Sequence, residues 1–378
     1  MAFEDMTTET KWVVKIGSSL LTNNGRGLDH TALDRWVDDV AGLRRVGMEI
    51  VVVSSGAVAE GISRLGWRNR PDDIPSLQAA AAVGQMGLMQ AYEASFRRRG
   101  ICAAQVLLTH EDFASRQRYL NVQATLRKLA QMGATPIINE NDTVSTQEIR
   151  FGDNDTLAAL VANMIAADRL VILTDQLGLF SGDPRTESGA ELIRQASAED
   201  DSLLDIAGSA GKLGRGGMLS KVKAARMFAL SGGITTIASG RIEGGLGQIR
   251  SGLAVGTELH PGQQRLLECK QWLAGQLITH GTLVLDAEAA RAVAQHGQSI
   301  LPDGVLHVRG NFDRDAVIQI TDPNERALAK GLSNYSAREM NRMVGRGASA
   351  AHVVRKDQGI TELVHHANIV LELYNGRM

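Results

Sequence analysis

Between Lys11 and Gly240, short apolar runs alternate with segments of helical period, and this alternation restricts the fold more than any other feature of the chain. Parallel strands cannot be joined by tight turns; each pair needs a long crossover, usually a helix. Trp12-Val13-Val14-Lys15-Ile16 reads as the first strand. Asp29 is placed to cap the helix that follows, whose apolar positions Leu33, Trp36, Val37, Val40 and Leu43 keep a helical period until Gly47. Glu49 to Ser54 reads as the second strand, and further strands are expected at Ile101 to Leu108, Thr135 to Asn139, Arg169 to Thr174 and Ile234 to Ser239. Helical stretches such as Ser76 to Arg99 and Asp155 to Ala167 lead from one to the next. The expected fold class is α/β, an open and mostly parallel sheet sandwiched by helices.

After His260-Pro261-Gly262 the rhythm changes. A polar helical stretch runs through Trp272, and Leu277 to Leu285, Gly304 to Val308, Ala316 to Ile320 and Ala350 to Val354 then read as strands. Pro302-Asp303-Gly304, Gly310-Asn311 and Asp322-Pro323-Asn324 supply the turns. The 378 residues thus divide into a large domain over 1–260, a linker over 261–277 and a small C-terminal β-rich domain over 278–378. Forty glycines against seven prolines point to glycine used for backbone geometry.

Several function classes are disfavoured. A formal charge of -2 offers no global field for a polyanion. The tail from Ile278 carries eleven Lys plus Arg against eleven Asp plus Glu, so the electrostatic footprint of nucleic-acid binding is missing there as well. Two cysteines, Cys102 and Cys269, cannot staple a chain of this length, and Cys102 is expected as a buried thiol within its apolar run. Glu4, Asp5 and Glu9 stand where a secretion signal would need positive charge. The most apolar stretch, Leu157 to Leu173, is broken by Asn163, Asp168 and Arg169, short of the ~20 residues a bilayer span requires. A cytoplasmic chain with no membrane or nucleic-acid partner is expected.

Open parallel sheets bind ligands beyond the carboxyl ends of their strands. The residues there are Lys15-Ile16-Gly17-Ser18-Ser19, Ser54-Ser55-Gly56-Ala57, Asn139-Glu140-Asn141-Asp142 and Thr174-Asp175. Lys15 closes a strand that should be buried, so it is either an edge lysine reaching for water or a lysine aimed at phosphate. The glycine-rich run Gly211 to Lys221 leads into a helix with apolar positions Val222, Ala225 and Ala229. It reads as a flexible connector or as a phosphate cradle of backbone N–H groups with Lys221 adding charge. The polar loop between Asn139 and Asp155 holds Asp142, Asp153 and Asp155, which cap helices or meet solvent, or combine with Asn139 and Asn154 to suit a small zwitterion. No P-loop, zinc or hydrolase motif occurs; Gly345 to Ala350 has dinucleotide-like spacing but precedes a strand, and His365-His366 reads as a polar pair.

Five blocks in order carry a resemblance: Lys-Ile-Gly-Ser-Ser at Lys15, Val-Ser-Ser-Gly-Ala around Ser55, Ile-Asn-Glu-Asn-Asp ending at Asp142, Gly-Asp-Asn-Asp ending at Asp155 and Leu-Thr-Asp-Gln-x-Gly-Leu around Thr174. The chain from Lys11 to about His260 resembles the bacterial glutamate 5-kinases of the amino acid kinase family, and the tail from about Ile278 resembles their PUA module. The resemblance implies an amino-acid-kinase fold, ATP with Mg2+, and transfer of the γ-phosphoryl group to the side-chain carboxylate of L-glutamate, the first step toward proline. It assigns Lys15 and Lys221 to the transferring phosphoryl group and Asp155 to orienting both lysines. Ser55, Asp142 and Asn154 would bind glutamate. Lys15, Thr174, Asp175 and the segment Arg215, Gly216, Gly217, Met218, Leu219, Ser220 and Lys221 would contact ATP. Within that segment Arg215 and Ser220 depart from the Thr-Gly-Gly-Met-x-Thr-Lys pattern of the family. Feedback inhibition by proline, competing near Asp142 to Asp153, is a further implication, as are a homo-oligomer and hand-over to the next enzyme of the proline pathway. Alternatives are a kinase of the same fold acting on another carboxylate or a nucleoside monophosphate, an RNA-binding protein acting through its tail, or an inactive amino-acid sensor.

Overall fold

The computed structural model describes residues 10–22, 27–144, 154–184, 186–187, 189–209, 217–262, 273, 279–344 and 362–371. The chain divides into two compact units, Met1–Arg265 and Leu266–Met378.

In the first unit the chain runs β1 (Lys11–Ile16), α1 (Ser18–Leu21), α2 (His30–Arg45), β2 (Glu49–Ser54), α3 (Ala57–Arg64), α4 (Ile74–Arg98), β3 (Cys102–Leu108), α5 (His110–Ala114) and α6 (Arg116–Gln131). It continues through β4 (Ala134–Glu140), α7 (Asn154–Met164), β5 (Arg169–Thr174), β6 (Gln195–Ser197), α8 (Ser202–Ser209), α9 (Met218–Ala229), β7 (Ile234–Ser239), α10 (Gly245–Arg250) and β8 (Thr257–His260). The eight strands form one sheet in the order β3-β4-β2-β1-β5-β7-β8-β6. All pairings are parallel except β7 with β8.

β1 lies between β2 and β5, and its side chains alternate between the two faces of the sheet. Trp12, Val14 and Ile16 join the core formed with Trp36 of α2 and Leu88, Tyr92 and Phe96 of α4. Lys15 points to the opposite face, where α7 begins. Interior strands are covered on both sides, so β4 and β5 are buried along their whole lengths, and β5 carries the apolar run Leu170 to Leu173. Asp29 caps α2 as expected, accepting from the Ala32 N–H at 2.9 Å. The crossing of α3 over α4 is unusually close. A Cβ on Gly61 would stand 1.7 Å from Ala80 O, and one on Gly84 would stand 1.8 Å from Ala57 O, so neither position admits a side chain.

Cys102 is exposed, against the buried thiol expected of an apolar run. Strand β3 is the sheet's edge, paired only with β4, so its residues are shielded on one side only. Strand β8 was not evident in the sequence; it returns antiparallel beside β7 and ends at the residue where the rhythm changes.

The second unit holds β9 (Gly281–Leu285), α11 (Ala287–His296), β10 (Val305–Gly310), β11 (Val317–Thr321), β12 (Ala327–Leu332), α12 (Ala337–Met343) and β13 (Ile369–Leu371). Its five strands follow the order β10-β9-β11-β12-β13, mostly antiparallel, around a core that includes Leu283, Ile318, Ile320, Met340 and Val364. Strands and turns alone do not describe it: α11 is capped by Asp286 and α12 by a reciprocal Ser336–Glu339 box, and both were missed because each is short and buries only two or three side chains. The strand expected over Ala350 to Val354, the turn over Gly345 to Ala350 and most of the stretch leading to Trp272 lie outside the described residues. Among the described residues no helix is long and apolar enough to cross a membrane.

Candidate active site

The carboxyl end of β1 delivers Lys15 into the interior, 4% exposed, which removes the reading of an edge lysine reaching for water. An ammonium buried this deeply needs a counter-charge. It is supplied by Asp155 in the first turn of α7, whose Oδ1 lies 2.6 Å from Lys15 Nζ and whose side chain is fully buried. The other oxygen, Oδ2, lies 3.1 Å from Lys221 Nζ in the first turn of α9. Ser220 Oγ stands 2.7 Å from both that oxygen and Gly217 O, so the hydroxyl that departs from the family pattern retains a place in the cluster. Two lysines separated by most of a domain in sequence therefore meet on one carboxylate. Burial pushes the Asp155 carboxyl upward, but the charges of Lys15 and Lys221 outweigh it and hold the group below the usual carboxylate range.

The same strand ends supply the surroundings. Gly17, immediately after β1, donates its N–H to Leu173 O at 3.3 Å, and a Cβ there would make ordinary contacts with Leu173 O at 3.4 Å and Lys15 Nζ at 3.9 Å. Thr174 is buried at the end of β5, its hydroxyl donating to Asp175 Oδ1 at 3.1 Å, while Asp175 itself is exposed. Gly217, exposed, precedes α9 in extended conformation, with Met218, Leu219 and Ser220 half-buried in its first turn. The starts of α7 and α9 bring backbone N–H groups and the positive ends of two helix dipoles to the lysines. Arg215, Gly216 and Asp153 lie outside the described residues.

One residue before Asp155, Asn154 turns its amide toward the end of β2. Its Nδ2 lies 3.0 Å from Ser54 O, 3.0 Å from Ser55 Oγ and 2.9 Å from Asn139 Oδ1. Ser55 is held in turn by its own N–H, which donates to Ile16 O at 3.2 Å and ties it to the end of β1. Asp142 follows β4 and lines a cavity of about 620 Å³ together with Gln85, Glu140, Asn141 and Thr143. Lys15, Lys221 and Asp155 are thus joined by ion pairs and Asn154 and Ser55 by a hydrogen bond one residue away, while Asp142 lines the cavity beside Gln85, a cavity that none of those five residues lines. Gln85 is a site residue that sequence reasoning missed. A glutamine in an alanine-rich helix reads as a solvent-facing residue, and nothing in its spacing distinguishes it from its polar neighbours.

Comparison with known proteins gives this geometry a lineage. The model of the amino acid kinase family matches residues 10–237, and that of the PUA domain matches residues 281–354. The chain belongs to the amino acid kinase family. Its relatives within that family include the glutamate 5-kinase of Thioalkalivibrio sulfidiphilus, 53% identical over 362 residues that cover 96% of each chain. The glutamate 5-kinase of Hahella chejuensis is 54% identical over 362 residues, 96% of this chain and 94% of that one. Among solved structures, an N-acetylglutamate synthase from Neisseria gonorrhoeae in complex with coenzyme A and N-acetyl-glutamate aligns with a TM-score of 0.50 at 18% identity, covering 68% of this chain and 60% of that one. That likeness is one of fold.

Proposed function

We propose that this amino acid kinase transfers the γ-phosphoryl group of ATP to the side-chain carboxylate of L-glutamate, forming L-glutamyl 5-phosphate at the first step of proline biosynthesis. The observation that carries the reading is the convergence of Lys15 and Lys221 on buried Asp155, in a chain more than half identical to named glutamate 5-kinases.

The chemistry needs no general base. A side-chain carboxyl with an ordinary pKa of ~4.3 arrives ionised at neutral pH, so the nucleophile is already made. The barrier lies in bringing one anion to another, and positioning with charge stabilisation lowers it. A lysine ~4 Å from a phosphoryl oxygen contributes about 4 kcal/mol per unit charge at an effective dielectric of ~20, before desolvation. An ammonium carries three N–H donors, and Asp155 accounts for one of those on Lys15. Asp155 pairs with both lysines and aims them. Ser55, Asn154 and Asp142 hold the amino-acid end of glutamate, while Thr174, Asp175 and the segment Arg215 to Lys221 hold the nucleotide. Magnesium, when bound with ATP, would supply charge neutralisation at the phosphates. The carboxylate of Asp155 is committed to the lysines and Ser220, and among the described residues no three His, Cys, Asp or Glu side chains stand together as a cage. Competition by proline for the glutamate site, a homo-oligomeric assembly, hand-over to the next enzyme of the pathway and a cytoplasmic location extend the same reading.

Hydroxylamine trapping of the acyl phosphate tests it. The wild-type protein is expected to give glutamate-dependent hydroxamate, with N-acetylglutamate and aspartate as poorer acceptors. Lys221→Ala should lower kcat by roughly 10²- to 10³-fold without unfolding the protein. Turnover with another acceptor and none with glutamate would overturn the assignment.

A further inference from the structure

The amide of Asn139, buried at the end of β4, has donors on one side. Its Oδ1 accepts from the backbone N–H of Glu140 at 2.9 Å and from Asn154 Nδ2 at 2.9 Å. A backbone N–H can only donate, so the oxygen is fixed on that side and the NH2 group must face the other way. There α4 presents Gln85, whose Oε1 accepts from Asn139 Nδ2 at 2.9 Å. The orientation passes along the chain. Asn154 Nδ2 faces three oxygens, one of them the carbonyl of Ser54, which can only accept. The NH2 end of Asn154 is therefore turned into the protein, and among the described residues its Oδ1 accepts no hydrogen bond. That oxygen is the end of the amide left for a ligand.

We propose that Gln85 is a specificity-determining positioning residue. It accepts from the buried NH2 group of Asn139 and so holds in place the Asn139–Asn154 amide chain, whose polarity the Glu140 N–H and the Ser54 carbonyl set and in which Asn154 offers a carbonyl oxygen to the substrate's α-ammonium. The proposal rests on the glutamate reading given above. Without an acceptor at position 85, the buried NH2 group of Asn139 loses its partner, and rotation of that amide would set NH2 against NH2 at Asn154. Gln85 itself is half-buried on a helix and borders the cavity, so a methionine of similar length fits its place.

The test compares glutamate with glutarate, the same dicarboxylate without the ammonium, used as a competitive inhibitor of hydroxamate formation. In Gln85→Met the glutamate KM is expected to rise about two- to tenfold, the range for one lost hydrogen bond, while the glutarate Ki and the ATP KM stay within about twofold of wild type. Gln85→Glu keeps an acceptor and no donor, and it should bring the glutamate KM back to within about twofold of wild type despite its negative charge. An unchanged glutamate KM in Gln85→Met would overturn the proposal. So would a parallel rise in the glutarate Ki, which marks a distorted pocket, or a Gln85→Glu variant no better than Gln85→Met. Wild-type protein that makes no hydroxamate with glutamate would remove the functional reading, and this proposal with it.

Discussion

Asp155 is the residue on which the site turns, because a single carboxylate neutralises and aims two buried ammonium groups. Removing it leaves both without that partner, a change that costs about 3–5 kcal/mol when a buried ion pair is broken from one side. Asp155→Asn is expected to destabilise the protein by that order at neutral pH in denaturant titrations, and to lower kcat by roughly 10²-fold. The pH dependence has a definite sign. The folded carboxyl titrates below its ordinary value, so the folded state binds fewer protons than the unfolded chain. Its contribution is complete above the ordinary carboxylate pKa of ~3.9 and disappears as pH falls through the lowered folded value. The stability gap between wild type and Asp155→Asn should therefore close in acid. Lys15 was legible in the sequence because a lysine inside an apolar strand is an energetic anomaly. The partner that explains it came only through the family resemblance, since Asp155 is separated from Lys15 by 140 residues and an aspartate near a helix start reads by itself equally well as a cap.

At the scale of elements, the α3–α4 crossing positions the acceptor side of the site. Helix α3 starts directly after Ser55-Gly56, while α4 carries Gln85 and Tyr92, whose hydroxyl lies 3.0 Å from Ser54 Oγ. The two helices can meet so closely only because Gly61 and Gly84 have no side chains, and the obstructing atoms are backbone, which cannot swing aside. Gly84→Ala should separate them, costing about 1–3 kcal/mol by the measure of an overpacked core. A lower denaturation midpoint together with a raised glutamate KM and an unchanged ATP KM would express both consequences. Strands β1, β2 and β5 were legible because interior parallel strands carry near-continuous apolar runs, here Trp12 to Val14, Ile50 to Val53 and Leu170 to Leu173. The glycine contacts were not, since a glycine in a helix shows in sequence only as a weak helix former and says nothing of what it meets.

For the molecule as a whole, two units with separate cores imply separate responses to acid. In the second unit, hydrogen bonds from the Arg314 guanidinium, opposed by partial burial and aided by Ser336, draw Glu339 down to about 2. Its folded value lies below the ordinary 4.5, so its contribution is present above that pH and is lost as pH falls toward about 2. Amide hydrogen exchange in α12 should accelerate over that window in wild type and show no such step in Glu339→Gln, while α7 follows Asp155 instead. The division of the chain was visible as a change of rhythm, but the second unit's helices and its strands β12 and β13 were not, being short and stabilised by caps and long-range pairing more than by local pattern. Strand β1 opens the chain yet needs β5 as a neighbour, and Lys15 needs a carboxylate encoded 140 residues later before Lys221 can complete the arrangement. A ribosome releases the pieces of this centre one at a time, and no nascent chain that stops short of α9 possesses it.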